Sequence, residues 1–366
     1  MPRYTYEVRY GETPTVLANV QSFTITKGRV QIQDPFKAGT ARITGRVPSA
    51  LPSITIGTRL RIVVTNTPMP AFCFDGYVAD FRVNYGIVAS EDTWEIDCED
   101  AIAAAGRALT SPTASWSSGV TSLDAAVAAA AGSGVEIVTG VNPCQSLVSA
   151  QSVPNANLLN VLQQLIFTEQ GRLNNSGLNP SGQPRLLFYS RADVGTSLLC
   201  VFSDGTLTSA SPIAKFDSVR FVSQADSFFE EVLIEPEGLA DQLAGSGRRG
   251  FSGKSYDVST TQARNLADYV LATLVVNNAV PSMVSCTSET QTNDEAIDLF
   301  TNNNAVQNVQ LILRGVLYNL FVEGGTMTAN PDQTRWSFNI VSSEAQSFFI
   351  LDSTSFGVLD QNKLGF

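Results

Sequence analysis

The sequence contains no histidine. That absence removes Ser-His-Asp and Cys-His catalytic arrangements, which need an imidazole base. It also removes His-ligated zinc, HExxH helices and a histidine haem ligand. Cysteine is sparse: Cys73, Cys98, Cys144, Cys200 and Cys286 are widely spaced and never form a CxxC pair. That pattern fits buried free thiols in a reducing compartment better than disulfides or a metal cluster. Charge is scarce too, at 16% of residues against about 25% in an average protein. Ser, Thr, Asn and Gln take its place. This composition describes either a weakly charged surface suited to large permanent subunit contacts or a lineage bias towards small polar residues, and leaves both open. The longest apolar run, Ala125–Ala131, falls far short of the ~20 residues a membrane helix needs, so no stable membrane insertion is expected. Met1-Pro2-Arg3 runs straight into polar alternation, and no signal peptide is expected.

What is present is acidic: 23 basic against 34 acidic side chains, a net charge of −11 over 366 residues. The scattered positive charge argues against a nucleic-acid groove. The length predicts two or three domains of ~150 residues.

The first hundred residues alternate as antiparallel strands. Tyr4–Tyr10, a strand through Val20, Phe23 and Ile25 turning at Lys27-Gly28-Arg29, and Val30-Gln31-Ile32 open the series. Ala41–Val47, Arg59–Val64 and Phe74–Phe81 continue it, and Glu91–Asp100 closes it. In that last strand Trp94, Ile96 and Cys98 point inward, and Glu95, Asp97 and Glu99 outward. Asp100 starts a helix through Ala108. Thr121 and Asp124 form a capping pair before an alanine-rich helix. Val135–Val138 reads as a strand. Pro154–Asn157 opens the clearest helix, with Leu158, Leu162, Leu165, Ile166 and Glu169 in one stripe and Gly171 as its stop. A hairpin of Arg172–Asn174 and Arg185–Arg191 follows. Strands are then expected at Ile213–Phe221 and Glu231–Ile234, a glycine-rich loop at 244–255, and a helix capped by Ser259 or Thr260. Strands return at Val309–Leu313 and Trp336–Val341.

Gly247–Ser255 carries Gly253-Lys254-Ser255 like a phosphate loop, but GxxxxGK[ST] needs glycine where Arg248 stands. Arg248, Arg249 and Lys254 instead read as a basic surface loop that contacts an acidic partner. The carboxylates of 91–100 lack EF-hand spacing and read as the solvated face of a strand. Trp116, in Ser115-Trp116-Ser117-Ser118-Gly119, is the one candidate for stacking on a glycan.

Two stretches carry a resemblance. One is Leu158–Arg191, with Thr168-Glu169-Gln170-Gly171-Arg172-Leu173 and Pro184-Arg185-Leu186-Leu187-Phe188-Tyr189-Ser190-Arg191. The other is Phe349–Asp360 with Lys363-Leu364-Gly365-Phe366. Both resemble minor tail proteins, the baseplate or tail hub proteins, of long-tailed bacteriophages infecting actinobacteria. The helix near Gln262 and the segment Phe74–Arg107 fit the same pattern. The resemblance implies a mainly β (α+β) fold: two tail-tube-like β-barrels around a mixed α/β middle. The barrels fall at 1–105 and 200–345, the second with an inserted helix near 259–276. The middle falls at 106–199 and a C-terminal tail at 346–366. It further implies a non-enzymatic homotrimer, without cofactor or metal, at the virion tail tip. There it would join the sixfold tube and distal tail protein to a threefold tip. Its other partners would be the tape-measure C-terminus and downstream fibre or receptor-binding proteins, with DNA only passing through the channel. Leu364 and Phe366, in Leu364-Gly365-Phe366, are candidate anchoring contacts on a neighbour, or else belong to a last strand of the chain's own barrel. The alternatives are a module binding host cell-wall glycan and a carboxylate-based cell-wall hydrolase. Segments 106–150 and 290–305 match no known pattern.

Overall fold

The computed structural model describes residues 4–342 apart from 31–33, 48–53, 66–70, 89–90, 141, 194–197, 206–211, 223–228, 275–279, 289–292 and 302–306. The alternating N-terminal pattern becomes β1 (Tyr6–Tyr10), β2 (Val20–Gly28), β3 (Lys37–Arg46), β4 (Arg59–Val64), β5 (Ala71–Asn84) and β6 (Thr93–Glu99). They are antiparallel neighbours in the order β2-β3-β6-β5-β4-β1. Successive side chains leave a strand on opposite faces, so Trp94, Ile96 and Cys98 are buried while Glu95, Asp97 and Glu99 are not. Phe23, Ile43, Ile96 and Phe81 sit in register across four strands.

The middle of the chain is mixed. Helix α1 (Ala101–Arg107) starts at Asp100, whose carboxylate accepts the Ile102 and Ala103 amides. Helix α2 (Ser122–Ala130) starts at Thr121. The Thr121 hydroxyl accepts the Asp124 amide and donates to its carboxylate, so the capping pair forms as its spacing predicts. A strand β7 (Glu136–Thr139) precedes helix α3 (Leu158–Glu169), which Asn157 caps. Strands β8 (Arg172–Leu178) and β9 (Pro184–Tyr189) complete a three-stranded sheet, β7-β9-β8. Leu158, Leu162 and Leu165 pack with Ala125, Ala126, Ala129 and Phe188.

Two details differ from expectation. The left-handed residue ending α3 is Gln170, with φ 57°. Gly171 serves another purpose: a Cβ there would lie 2.0 Å from the Tyr189 carbonyl oxygen. Glu169, in the apolar stripe, is wholly buried because it collects donors. These are Ser122 Oγ at 2.7 Å and the amides of Ser146 at 2.9 Å, Gln145 at 3.2 Å and Arg191 at 3.4 Å.

Strands β10 (Leu198–Ser203) and β11 (Ser218–Val222) lead to a separate three-stranded sheet of β12 (Glu231–Pro236), β13 (Gln242–Gly245) and β14 (Gly250–Ser255). The segment expected as a glycine-rich loop is therefore largely strand. Its two ends satisfy both edges of β12, β13 antiparallel and β14 parallel. Helix α4 (Thr260–Leu274), with Ser259 Oγ accepting the Gln262 amide, covers this sheet through Ala263, Leu266, Ala267 and Val270.

Last come β15 (Val280–Ser288), α5 (Asp294–Thr301), β16 (Gln307–Leu313), β17 (Val316–Ala329) and β18 (Thr334–Ser342). Strand β17 decides the architecture. On one edge it pairs with β18; on the other it pairs first with β16 over Val316–Val322, then with β2 over Gly324–Ala329. N-terminal and C-terminal strands thus join one network of fourteen strands, including the short pieces Thr15–Val16 and Ile213–Ala214. Their buried faces share one core, into which α5 inserts Ile297, Leu299 and Phe300. All five cysteines are buried free thiols.

Candidate assembly surfaces and their junction

The junction is built where β17 exchanges β16 for β2. The β17–β18 register shifts between Val322 and Gly324. Before this bulge Leu320 and Val322 face the core; after it Met327 and Ala329 do. The bulged residue is Glu323, wholly buried. Its Oε2 accepts Arg29 Nε at 2.7 Å and its Oε1 accepts Arg172 Nη2 at 2.5 Å. Arg172 Nη1 also donates to the Val322 carbonyl at 3.1 Å, and the Arg29 guanidinium lies 4.4 Å over the Phe36 ring. One carboxylate therefore ties β8 and β17 to Arg29, the residue that follows β2. Burial alone would push the Glu323 carboxyl up, but the Arg172 and Arg29 charges and hydrogen bonds hold it below the usual carboxylate range. The backbones meet here only because side chains are missing. A Cβ on Gly28 would sit 2.3 Å from the Glu323 carbonyl oxygen, and one on Gly324 would sit 2.4 Å from that of Lys27.

Beside the junction lies a cavity of about 160 Å³ whose lining includes Lys27, Cys73, Asp100, Arg172, Phe300 and Glu323. Burial pushes the Asp100 carboxyl up to about 7, against the helix amides that favour its ionised form. Burial lowers the Lys27 amine to about 8. That amine donates to the Phe300 carbonyl and lies 4.3 Å over its ring. Burial also raises every thiol, so none is an activated nucleophile. Among the described residues no group of three or more His, Cys, Asp or Glu could hold a metal ion. The arrangement clamps three parts of the chain together.

The residues singled out in the sequence do not converge. Arg248 and Arg249 are exposed between β13 and β14, with the Arg248 amide donating to Glu230 Oε2 at 2.8 Å. Lys254 is exposed on β14 itself. Trp116 is core rather than surface. It is 8% exposed, donates through Nε1 to the Ser149 carbonyl at 2.9 Å, and meets the Tyr256 ring edge-on. Leu364 and Phe366 lie outside the described residues, as do Gln31, Ile32 and the terminal stretch from Phe349. The carboxylates of 91–100 split. Glu95 and Asp97 pair with Arg82 and Arg42 on the outer face, Glu99 pairs with Arg107, and Asp100 turns inward.

The surface features that composition did not reveal are apolar turns. Between β5 and β6, Tyr85, Ile87 and Val88 are 73, 101 and 52% exposed. At the other end of the network, Val316 and Leu317 are exposed beside the β16–β17 turn. Tyr-Gly-Ile-Val between two alternating strands was the available signal, since turns are ordinarily polar.

No protein-family model and no curated protein matches this sequence. Solved structures do. The 43 kDa tail protein of prophage MuSo2 from Shewanella oneidensis superposes with a TM-score of 0.63 at 12% identity, over 94% of this chain and 98% of that one. A tail protein from Neisseria meningitidis gives 0.64 at 15% identity over the same shares, 94% and 98%. A component of the Escherichia coli type VI secretion system, described as structurally similar to the T4 bacteriophage tail proteins gp27 and gp5, gives 0.50 at 10% identity over 92% and 76%. This chain has the fold of phage tail and baseplate proteins. For the two tail proteins the likeness runs through almost the whole of both chains.

Proposed function

We propose that this protein is a structural component of the virion tail and forms a trimeric hub at the tail tip, without catalysis. The single observation that carries the reading is the likeness to two tail proteins, one of them from a prophage, over 94% of the chain. In this reading residues 1–105 and 200–345 act as two tube-like units, with 106–199 between them and 346–366 as a tail. The junction at Glu323 ties them to one another, and three copies would present six similar units to a sixfold tube. The distal tail protein would lie above. Fibre or receptor-binding proteins would lie below, and the tape-measure C-terminus inside. A net charge of −11 suits a channel wall that must not hold passing DNA. The virion would be that of a long-tailed phage of an actinobacterium.

The glycan-binding alternative loses its candidate residue, because Trp116 is buried. The test is the mass of the purified chain by light scattering on a size-exclusion column. Three times 39.2 kDa, with a central channel on imaging, is the expected result. A chain that stays monomeric both alone and in purified tails would overturn the hub.

A further inference from the structure

We propose that Phe348-Phe349-Ile350-Leu351, in the chain that follows β18, folds back on its own subunit and caps the apolar end of β17. The inference does not depend on the hub reading. The core is open at that end. Alternate residues of β17 share a face, and burial fades along one such row. Leu320 is 1% exposed, Tyr318 is half-buried and Val316 is 49% exposed. Val316 stands opposite half-buried Leu313 on β16. Phe221, exposed on β11, meets the Tyr318 ring edge-on with 5.6 Å between centroids. Leu313 and Tyr318 both pack on the main core. Val316, Tyr318 and Phe221 thus form a solvent-exposed ledge that is continuous with the core.

Contiguity chooses the occupant. Strand β18 runs towards this ledge, and Ser342, its last residue, stands opposite Leu320. Beyond that pair, the same edge of Val316–Asn319 has no ladder partner among the described residues. The chain continues from there as Ser343-Glu344-Ala345-Gln346-Ser347, and then Phe348-Phe349-Ile350-Leu351-Asp352. The step from Ser342 to Phe348 spans about 20 Å when extended, and Val316 lies only about 13 Å along β17 from Leu320. The spacer is therefore long enough to reach Val316 and turn back. Four successive large apolar side chains left in water invite aggregation. A ledge at the end of so short a tether meets them at a high effective concentration. The same segment of a second copy, or a different protein, has to compete with that tether. Charge agrees. Glu344 and Asp352 flank the apolar run, and no Lys or Arg occurs in residues 343–352. Exposed Arg220 and Arg314 border the ledge. Asp204, at the same border, accepts the Arg314 amide at 2.6 Å.

The test uses the full chain. A benzoylphenylalanine photo-crosslinker replacing Val316 is expected to form its adduct with residues 343–352 of the same chain, at monomer mass on a denaturing gel. When unlabelled and heavy-isotope-labelled chains are assembled together, each crosslinked pair of peptides should carry a single label. Phe348→Ser combined with Phe349→Ser should cut the adduct yield roughly tenfold, because the apolar area that drives the contact is gone. The double variant should also bind more anilinonaphthalene sulfonate than the wild type, as the ledge is uncovered. An adduct only with residues 223–228 or 275–279, with a second copy, with another protein or with nothing would overturn the proposal. An unchanged adduct yield in the double variant would overturn it as well.

Discussion

Glu323→Gln removes one charge and almost no volume, yet it should be among the most damaging single changes in the protein. The carboxylate is wholly buried and its partners nearly so, with Arg29 at 10% and Arg172 at 7% side-chain exposure. Taking the acid away leaves two guanidinium groups desolvated with no counter-charge. Breaking a buried pair by deleting one partner typically costs about 3–5 kcal/mol, or roughly two to nearly four powers of ten in the folding equilibrium. Against a usual stability of about 5–15 kcal/mol, that is a large share. The assay is equilibrium urea unfolding, reading the midpoint and confirming that the slope m is unchanged. A second variant separates charge from packing. Arg29→Met with Arg172→Met and Glu323→Leu removes all three charges, and replacing a buried triad by apolar groups is often neutral. The triple variant should therefore be more stable than Glu323→Gln. A cost below about 1 kcal/mol for Glu323→Gln, or a triple variant less stable than the single one, would refute the uncompensated-charge argument.

Three further outcomes follow from the same geometry. The folded Asp100 carboxyl lies at about 7 against an ordinary 3.8, so the folded state binds the extra proton and stability should rise as pH falls from about 7 towards 4. Asp100→Asn, which keeps an N-cap, should flatten that dependence in urea midpoints taken across the range. Gly324→Ala places a methyl 2.4 Å from the Lys27 carbonyl oxygen. It should lower the urea midpoint and speed hydrogen exchange in β2 and Gly324–Ala329 together. Trp116→Ala should cost about 3–5 kcal/mol of stability, as for other large core truncations, and any loss of adsorption should be explained by the reduced amount of folded protein.

Much of this fold was legible because local and tertiary forces agreed. Trp94, Ile96 and Cys98 alternate with acids and are buried as read. Thr121 with Asp124, and Asn157, stand where helices begin. Legibility failed where a distant partner supplied what the local sequence lacked. Residues 244–255 are rich in glycine, but β12 offers hydrogen bonds on both edges, and Gly253 lets the strand approach the Phe167 ring. Gln170 takes the left-handed position that Gly171 next to it was expected to supply, because Gly171 is needed against Tyr189. The junction was hidden for the same reason. Its two arginines lie roughly 150 and 300 residues from Glu323, far beyond the reach of pattern reading. Only the lone acid before Gly324-Gly325 in an apolar strand hinted at a bulge.

The shared strand also sets a clock for biogenesis. β2 emerges from the ribosome early, but the strand that covers its edge over Gly28–Phe23 belongs to Gly324–Ala329. At about 5–20 residues per second, roughly 300 residues of synthesis leave that edge bare for about 15–60 s. An uncovered strand edge is a template for pairing with another chain, and contacts this distant in sequence form slowly. The nascent N-terminal sheet is thus most open to mispairing, and to chaperones, until the last strands arrive.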